Sequence, residues 1–322
     1  MKIIMDSLFR PQSFKEYIGQ EKLIESLKII SSAAKLTNGT FSHILFYGQP
    51  GCGKTTIALL MAKHLERRIY TINGSTIKTQ AEIIAILLKL QNNDILFIDE
   101  IHRLSKKNSE LFYKAMEDFK IDIIIDEKIN RIVELKLNKF SLIGATTNIG
   151  RLVIPFIQRF IYCFEVQLLS IEETKKLLKI LMNYYKLTFK NEAIGLFVKV
   201  CEKTPRLIRN LFLKVRDYAI AHNCNLIEGG QLKVILRNLN ISFTGLTSLE
   251  KRYLEVFKKF FRNDAIGIKS LSTILNEDIA TLETLVEPKL ITLGYIIRTK
   301  NGRILTEKAL SLQGDEDEDN RF

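Results

Sequence analysis

One glycine-rich stretch decides the fold of this chain: Gly48-Gln49-Pro50-Gly51-Cys52-Gly53-Lys54-Thr55. It follows the apolar run 44–47 and precedes the helix-like stretch 56–66, so the pattern predicts a buried strand, a loop and a helix. The glycines let backbone N–H groups turn inward around a polyphosphate, and the helix N-terminus adds partial positive charge. Lys54 supplies a cation for the terminal phosphates, and the Thr55 hydroxyl suits the coordination shell of Mg²⁺. The stretch therefore predicts a site for a nucleoside triphosphate and magnesium.

Two carboxylates end the next strongly apolar run, Asp94-Ile95-Leu96-Phe97-Ile98-Asp99-Glu100. Such a run is typical of a strand buried on both faces of a parallel sheet, where ligands bind beyond the carboxyl ends. We expect Asp99 to hold the metal through water and Glu100 to act as general base toward the attacking water. Taken alone, such a pair more often starts a solvated loop. A phosphate-binding loop about 45 residues upstream favours the catalytic interpretation.

A further buried strand is predicted at 141–148, and hydroxyl groups stand near its end. Thr146 and Thr147 are placed to sense or position water near the γ-phosphate. Arg159 follows at the edge of this core. An arginine there is ordinarily a surface charge, but in a ring of identical subunits it could stabilise transition-state charge at the neighbouring site.

The segment between these strands, 122–137, alternates apolar and charged residues in its second half. This pattern predicts a β-hairpin with one face in water. Two interpretations stay open from the residues alone: an extension of the main sheet, or a docking hairpin for a partner protein.

Composition limits the class of protein. A chain of 322 residues with 46% hydrophobic and 26% charged residues is an ordinary globular protein of two or three domains. No apolar run approaches the length needed to cross a bilayer and the start lacks a signal-peptide pattern, so we expect a cytosolic protein. The four cysteines occur singly, which indicates reduced thiols rather than a zinc site or disulfides. A net charge of +12 is compatible with an anionic partner but does not require one.

The second half begins with helical signals. Residues 170–173 form a capping box, and a second helix is predicted from about 191 to 202. A third helix starts with Thr204 as N-cap and Pro205 in the first turn. Arg206 then lies in that first turn, either solvated or directed across a cleft at nucleotide phosphate.

Residues 245–310 have the pattern of a winged helix. Two apolar stripes mark its helices: Leu249, Tyr253, Val256, Phe257 and Phe260, then Ile279, Leu282, Leu285 and Val286. We expect Pro288 to kink or end the second helix. An Asn301-Gly302 turn signal predicts a tight hairpin, the wing, over 296–305. Three cations crowd into it: Arg298, Lys300 and Arg303. They are either DNA phosphate contacts or ordinary surface charges.

Several short stretches run through almost the whole chain: Arg10-Pro11, Tyr17-Ile18-Gly19-Gln20, 47–56, 96–104, Ala115-Met116-Glu117-Asp118-Phe119, 143–147, 204–206, 215–219, 298–299 and 302–303. This set resembles the AAA+ ATPases, and in detail the RuvB family of bacterial Holliday-junction branch-migration motors. The phosphate loop and the Asp-Glu pair are shared by many ATPases, whereas 100–104 and 115–119 are much more specific. The resemblance covers about residues 8–310.

The resemblance implies an α/β fold in three domains. Residues 1–169 would form the P-loop parallel-sheet domain, 170–241 a helical lid domain and 242–310 a C-terminal winged-helix domain. The acidic tail, 311–322, is expected to be disordered.

The same resemblance implies roles for individual residues. Adenine and ribose contacts fall on Phe9, Arg10, Tyr17 and Ile18; phosphate and Mg²⁺ contacts fall on Gly48, Gly51, Cys52, Gly53, Lys54, Thr55 and Thr56. Further nucleotide positions are Glu117, Asp118, Phe119, Arg159, Leu169 and Arg206. Thr146 or Thr147 would be the first sensor, Arg206 the second sensor and Arg159 the finger acting on the neighbouring subunit. The hairpin 123–137 would dock RuvA.

Four positions depart from the family pattern. Asn148 replaces an arginine, Ile157 and Gln158 replace an Arg-Asp pair, and Leu169 replaces a nucleotide-contacting tyrosine. The hydrolytic residues are intact, so the departures concern the subunit interface and details of nucleotide contact.

The resemblance therefore implies a homo-hexameric, ATP-hydrolysing motor on duplex DNA. It would drive branch migration of Holliday junctions in recombination and repair, with RuvA and RuvC as partners. A clamp-loader-like ATPase is an alternative, although it would lack the basic wing. An ATP-switched winged-helix regulator is another, and Glu100 argues against it. A two-lobed helicase would need a second ATPase-like lobe, for which this chain has no pattern.

Overall fold

The computed structural model describes residues 10–126, 131–261 and 264–311. Within these ranges the chain divides into two compact units. The first comprises the residues up to 177 together with 203–208, and the second comprises 178–202 and the residues from 209 onward. Phe9 and the acidic tail from residue 312 lie outside the described residues. The expectations for both therefore stay predictions.

The first unit alternates strands and helices. Its strands are β1 (Ile44–Tyr47), β2 (Ile69–Asn73), β3 (Ile95–Asp99), β4 (Lys120–Asp126), β5 (Arg131–Lys136), β6 (Ser141–Thr146) and β7 (Tyr162–Glu165). Its helices are α1 (Glu21–Leu36), α2 (Lys54–Leu65), α3 (Gln80–Lys89), α4 (Lys106–Glu117), α5 (Ile154–Ile157) and the first part of α6 (Ile171–Tyr185). Short 3₁₀ turns occupy Ile101–Arg103 and Ile149–Arg151.

Five parallel strands form the central sheet in the order β2-β3-β6-β1-β7. Successive side chains of a strand point to opposite faces, so Phe46 joins the core formed with α1 and α2, and Leu45 joins the core formed with α3 and α4. Every residue of β6 is buried, as are the first four of β3. The predicted continuous buried strands are therefore confirmed.

A buried histidine fastens β1 to its neighbours. The Leu142 N–H donates to His43 Nδ1 at 2.9 Å, and His43 Nε2 lies 3.0 Å from the Met116 carbonyl oxygen. Burial lowers the pKa of His43, and the hydrogen bond to Met116 only partly opposes this. A neutral ring with its proton on Nε2 satisfies both contacts, which join the start of β1 to β6 and α4.

The predicted hairpin is confirmed, and it stands outside the five-stranded sheet. β4 and β5 pair antiparallel as a separate two-stranded sheet, so the alternative of an extension of the main sheet is wrong. Ile121 is buried whereas Asp122 and Glu134 are exposed, which gives the predicted single wet face. Lys114 Nζ donates to both carboxylates, at 2.8 Å to each. The tip, 127–130, lies outside the described residues.

The helical signals after the sheet are confirmed. The Ser170 N–H donates to Glu173 Oε2 at 2.6 Å and the Glu173 N–H donates to Ser170 Oγ at 3.2 Å, which is the predicted capping box. Thr204 Oγ1 accepts from the Leu207 N–H at 3.3 Å, so Thr204 is the N-cap of the helix that begins at Pro205.

The second unit is mainly helical. It contains the end of α6, then β8 (Thr188–Phe189), α7 (Asn191–Val200), most of α8 (Pro205–Ala221), β9 (Leu226–Ile227), α9 (Gly229–Asn238), α10 (Ser248–Val256), α11 (Ile268–Leu275), α12 (Ile279–Thr281), α13 (Glu287–Thr292), β10 (Ile296–Thr299), β11 (Gly302–Leu305) and α14 (Glu307–Leu310). Two π-helical stretches, Phe257–Phe261 and Leu282–Val286, extend α10 and join α12 to α13.

Two residues of the predicted apolar stripes, Phe260 and Leu285, are exposed instead, so these two predictions are wrong, and both residues lie in π turns. Phe260 is 60% exposed because a π turn adds a residue to the helical period and rotates its side chain out of the apolar stripe. Pro288 lies in the first turn of α13, where its missing N–H has no partner to lose, and the π stretch of the predicted second helix ends just before it, at Val286.

The wing is confirmed, but its turn differs from the prediction. Thr299 pairs with Gly302, so the two-residue loop is Lys300-Asn301 rather than Asn301-Gly302. Ile266 bridges Arg303 on the other side of the hairpin, with reciprocal N–H to carbonyl bonds of 2.9 and 2.8 Å. A Cβ at Gly302 would lie 2.4 Å from the Ile266 oxygen, so this glycine is required by close backbone approach.

All four cysteines are free thiols, as predicted. Among the described residues, no helix combines the length and apolarity needed to span a bilayer.

Candidate functional site

The phosphate loop lies where the sequence predicts it, between β1 and α2. Gly48, Gly51 and Gly53 all have positive φ. A Cβ at Gly53 would lie 2.6 Å from the Tyr17 hydroxyl, which itself donates to the Cys52 carbonyl at 3.3 Å. Tyr17, predicted as a nucleotide contact, therefore packs directly on this loop.

The Lys54 side chain is buried inside the loop. Its ammonium donates to the Gly48 and Gln49 carbonyls at 2.8 and 2.9 Å. Burial lowers the pKa of Lys54, while the Glu100 and Asp99 carboxylates act in the opposite direction. The loop thus encloses a cation at the start of α2, where backbone N–H groups also favour an anion.

Hydroxyl and carboxylate meet next to this cation. Thr55 Oγ1 donates to Asp99 Oδ2 at 2.9 Å, and Asp99 Oδ1 accepts from the Glu100 N–H at 2.9 Å. Oxygen donors of these two kinds are those that Mg²⁺ takes beside phosphate. The glycine cradle, the enclosed ammonium and this oxygen pair fit a nucleoside triphosphate with its metal.

Glu100 occupies an unusual backbone position. Its φ of 49° is left-handed, a conformation that non-glycine residues adopt rarely and mostly at functional sites. A Cβ at Gly74 would lie 2.5 Å from the Glu100 carbonyl oxygen, and the Gly74 N–H donates to the Asp99 carbonyl at 2.7 Å. The glycine after β2 therefore permits the turn that presents Glu100, a role without any local sequence signal.

The end of β6 contacts the Glu100 carboxylate. Thr147 Oγ1 donates to Glu100 Oε2 at 3.1 Å. Thr146 is buried and lies instead 2.9 Å from His102 Nδ1, with its oxygen also accepting from the Asn148 N–H. Thr147 therefore contacts Glu100 directly, whereas Thr146 contacts His102, which belongs to the site as well. In the sequence, His102 is marked only as part of the family-like stretch 100–104.

The start of α8 lies against the phosphate loop. A Cβ at Gly51 would lie 3.0 Å from Arg206 Cβ and 3.3 Å from Thr204 Oγ1. The exposed Arg206 side chain therefore starts beside the loop, as its predicted sensor role requires. Leu169 is buried, with its Cδ2 3.1 Å from a Cβ placed at Gly19. This places Leu169 against the loop that carries Tyr17.

The remaining predicted contacts of the first unit differ in exposure. Arg10 is exposed, and Ile18 and Thr56 are half-buried.

Arg159 contacts a separate group of residues. Its Nε lies 3.4 Å from Glu117 Oε1, and its guanidinium lies 4.0 Å from the Tyr113 ring centroid. Arg159 Nη1 also donates to the Pro155 carbonyl. None of these three partners belongs to the phosphate loop or to β3.

The predicted nucleotide positions 117–119 also include the two residues that follow Glu117. Asp118 is exposed, and Phe119 packs edge-on against Phe140 at 5.9 Å. Of the positions that depart from the family pattern nearby, Gln158 is exposed and Ile157 is half-buried.

The wing cations do not share one environment. Glu287 is fully buried and receives hydrogen bonds from Arg298, from Arg303 at 2.8 Å and from the Tyr253 hydroxyl at 2.8 Å. Burial acts to raise the pKa of Glu287, and these donors outweigh it, so the pKa lies below its usual range. Lys300 is exposed at the turn. Of the three predicted DNA contacts, two thus also serve a buried ion-pair network.

Together these features define a P-loop nucleotide-binding protein that carries a C-terminal winged helix. The family model described as the Holliday junction DNA helicase RuvB P-loop domain matches residues 9–166. The model of the RuvB C-terminal winged helix domain matches residues 243–313. The chain therefore belongs to the RuvB family.

Individual relatives agree with this assignment. The Holliday junction branch migration complex subunit RuvB of Campylobacter hominis is 38% identical over 312 residues, 96% of this chain and 91% of that protein. The corresponding subunit of Phytoplasma mali is 36% identical over 94% of this chain and 92% of its own length. The solved structure of the Thermotoga maritima RuvB Holliday junction branch migration motor matches with a TM-score of 0.81 and 32% identity, covering 95% of this chain and 99% of that one.

Replacing Glu287 by Gln removes a buried charge and leaves two arginines without their shared carboxylate. We expect the free energy of unfolding of the second unit to fall by about 3 kcal/mol, the scale for breaking a buried ion pair. Urea unfolding followed by circular dichroism measures it. Glu283→Gln is the matched control, since its partly exposed pair with Arg303 is worth about 1 kcal/mol or less. Equal losses in both variants would contradict a special role for Glu287.

Proposed function

We propose that this chain is an ATP-hydrolysing motor that moves duplex DNA and drives branch migration of Holliday junctions in recombination and repair. Membership of the RuvB family supports Holliday-junction DNA as the substrate. The hydrolytic part depends on one observation: Lys54, Thr55, Asp99, Glu100 and Thr147 meet where β1, β3 and β6 end side by side. Such a site catalyses phosphoryl transfer by positioning and charge stabilisation.

Bound ATP with Mg²⁺ supplies the reacting phosphoryl group and a metal charge that offsets its negative oxygens. Lys54 adds a second fixed positive charge beside those oxygens. Thr55 and Asp99 would hold the metal. Glu100 orients the attacking water and accepts its proton, while the Thr147 hydroxyl holds the carboxylate in place.

Adenine and ribose would contact the segment around Phe9, Arg10, Tyr17 and Ile18, with Leu169 packed behind it. The position of Arg206 beside the phosphate loop supports its role as the second sensor.

Arg159 would act on the site of a neighbouring subunit. Its contacts with Glu117, Tyr113 and Pro155 support a surface distinct from the phosphate loop of its own chain. A homo-hexameric ring that encloses DNA gives each Arg159 such a neighbour. Glu117, Asp118 and Phe119 would then line the same interface toward the neighbour's nucleotide.

The three-domain division at 1–169, 170–241 and 242–310 belongs to this proposal, as do the partners. The hairpin forms a two-stranded sheet separate from the main sheet, and Asp122 and Glu134 are exposed at its base. Both features support docking of RuvA on 123–137. RuvC would join the same complex on the junction. We place the protein in the cytoplasm, where the bacterial chromosome lies.

Glu100→Gln should keep ATP binding and lose turnover, because the amide cannot accept the water proton. We expect the hydrolysis rate, measured by phosphate release with four-way-junction DNA, to fall about 100-fold or more. Glu110→Gln, on exposed α4 surface, is the matched control. Unchanged hydrolysis in Glu100→Gln would remove Glu100 as the base.

A mixing experiment tests the ring. Arg159→Ala and Lys54→Ala subunits should each be inactive alone, since one lacks the finger and the other lacks the phosphate cation. Mixed before assembly, they form some interfaces in which an intact Lys54 faces an intact Arg159. We expect partial recovery of hydrolysis in the mixture, and no recovery at any ratio would show that Arg159 acts within its own chain.

Lys300→Ala tests the wing without disturbing the Glu287 network. We expect weaker binding to duplex DNA and a smaller slope of log affinity against log salt, by about 0.9 for each phosphate that the side chain neutralises. Lys28→Ala, at an exposed position on α1, should leave the slope unchanged. An unaltered slope in Lys300→Ala would place the DNA contacts elsewhere.

A further inference from the structure

His102 lies between the proposed base and the end of β6. Its side chain is 4% exposed and belongs to the 3₁₀ turn Ile101–Arg103, which directly follows Glu100. Nδ1 lies 2.9 Å from Thr146 Oγ1, and Nε2 lies 3.3 Å from Glu100 Oε2. One ring therefore contacts both the general base and the buried threonine.

A ring that carries its proton on Nε2 satisfies the hydrogen bonds around it. Thr146 Oγ1 already accepts from the Asn148 N–H at 3.0 Å, so its own hydroxyl hydrogen is available to His102 Nδ1. The ring proton then lies on Nε2, which faces the carboxylate. Burial lowers the pKa of His102, although the Glu100 charge acts in the opposite direction, and a neutral ring agrees with this assignment.

Both contacts to the carboxylate fall on the same oxygen. Thr147 Oγ1 donates to Glu100 Oε2, and His102 Nε2 faces that atom as well. Thr147 thus donates a hydrogen bond to Oε2, and the His102 ring lies against the same oxygen at 3.3 Å, so both side chains restrict where that oxygen can lie. The other oxygen, Oε1, is then the one that meets the water.

We propose that His102 is a positioning residue for hydrolysis, which holds Glu100 Oε2 so that Oε1 acts as the base. The chain of contacts from Asn148 through Thr146 and His102 to Glu100 ties the base to the end of β6. This inference rests on the proposed function, because it assigns a role within the same hydrolytic step. It also gives the two threonines different roles: Thr147 acts on Glu100 directly, and Thr146 acts through the His102 ring.

The test separates positioning from packing by comparing catalysis with binding. His102→Ala should lower kcat for ATP hydrolysis about tenfold or more, and leave KM and the Kd for ATP within about twofold, since the polar contacts of the ring are with Thr146 and Glu100. His102→Gln retains an N–H that reaches Glu100 and should recover much of kcat. His222→Ala, at an exposed histidine of the second unit, should hydrolyse at the wild-type rate. Thermal melting confirms that each variant is folded.

A second pair tests the threonine end of the contacts. Thr146→Val removes the hydroxyl at nearly constant shape and should lower kcat, whereas Thr146→Ser keeps the hydroxyl and should restore it. Because the two residues act as a unit, His102→Ala combined with Thr146→Val should be little slower than either variant alone. Independent effects would multiply instead, and such a product would overturn the link between them.

The outcomes distinguish this inference from the proposed function. Wild-type kcat in folded His102→Ala, with Glu100→Gln inactive, overturns the positioning role and leaves the hydrolytic site standing. Full activity of Glu100→Gln overturns the base itself. If His102→Ala does not fold, His102→Gln and the Thr146 pair decide, and equal kcat in Thr146→Val and Thr146→Ser would sink the proposal.

Discussion

The structure depends on one topological constraint, the insertion of β6 between β1 and β3 in a parallel sheet. The carboxyl ends of parallel strands lie at the same edge of the sheet, so three loops that are far apart in the sequence meet there. The phosphate loop follows β1, the two carboxylates stand at the end of β3 and the two threonines stand at the end of β6. β6 is buried on both faces, so a one-residue shift of register would exchange its two faces and mismatch their packing against both cores.

Buried polar groups add a second constraint, since each needs a partner. In the first unit the partners come from distant parts of the chain: His43 joins three elements, and His102 joins Thr146 to the proposed base. In the second unit Glu287 draws both wing arginines toward one carboxylate. A residue type that indicates DNA binding in a sequence can therefore serve the fold as well, and only its contacts separate the two uses.

Much of the fold was predictable because its signals are local. The spacing of residues over a short stretch predicts the buried strands, the helix caps at Ser170 and Thr204, and the two hairpins. The wrong predictions concern backbone geometry that such spacing does not show. Phe260 and Leu285 are exposed in π turns, and the bridge to Ile266 set the position of Gly302 in the wing. The hairpin 123–137 was recognisable, but its separation from the main sheet was not.

By itself the sequence determined the nucleotide chemistry, because Lys54, Thr55, Asp99 and Glu100 occur in motifs whose residue types and spacing already imply phosphate and metal. Tertiary structure alone decided how these groups are aimed. Gly74 makes room for the left-handed turn at Glu100, and the ring of His102 reaches Thr146, 44 residues away in the chain. Such contacts depend on which strands lie side by side, and strand order is a property of the packed sheet rather than of any short stretch of residues.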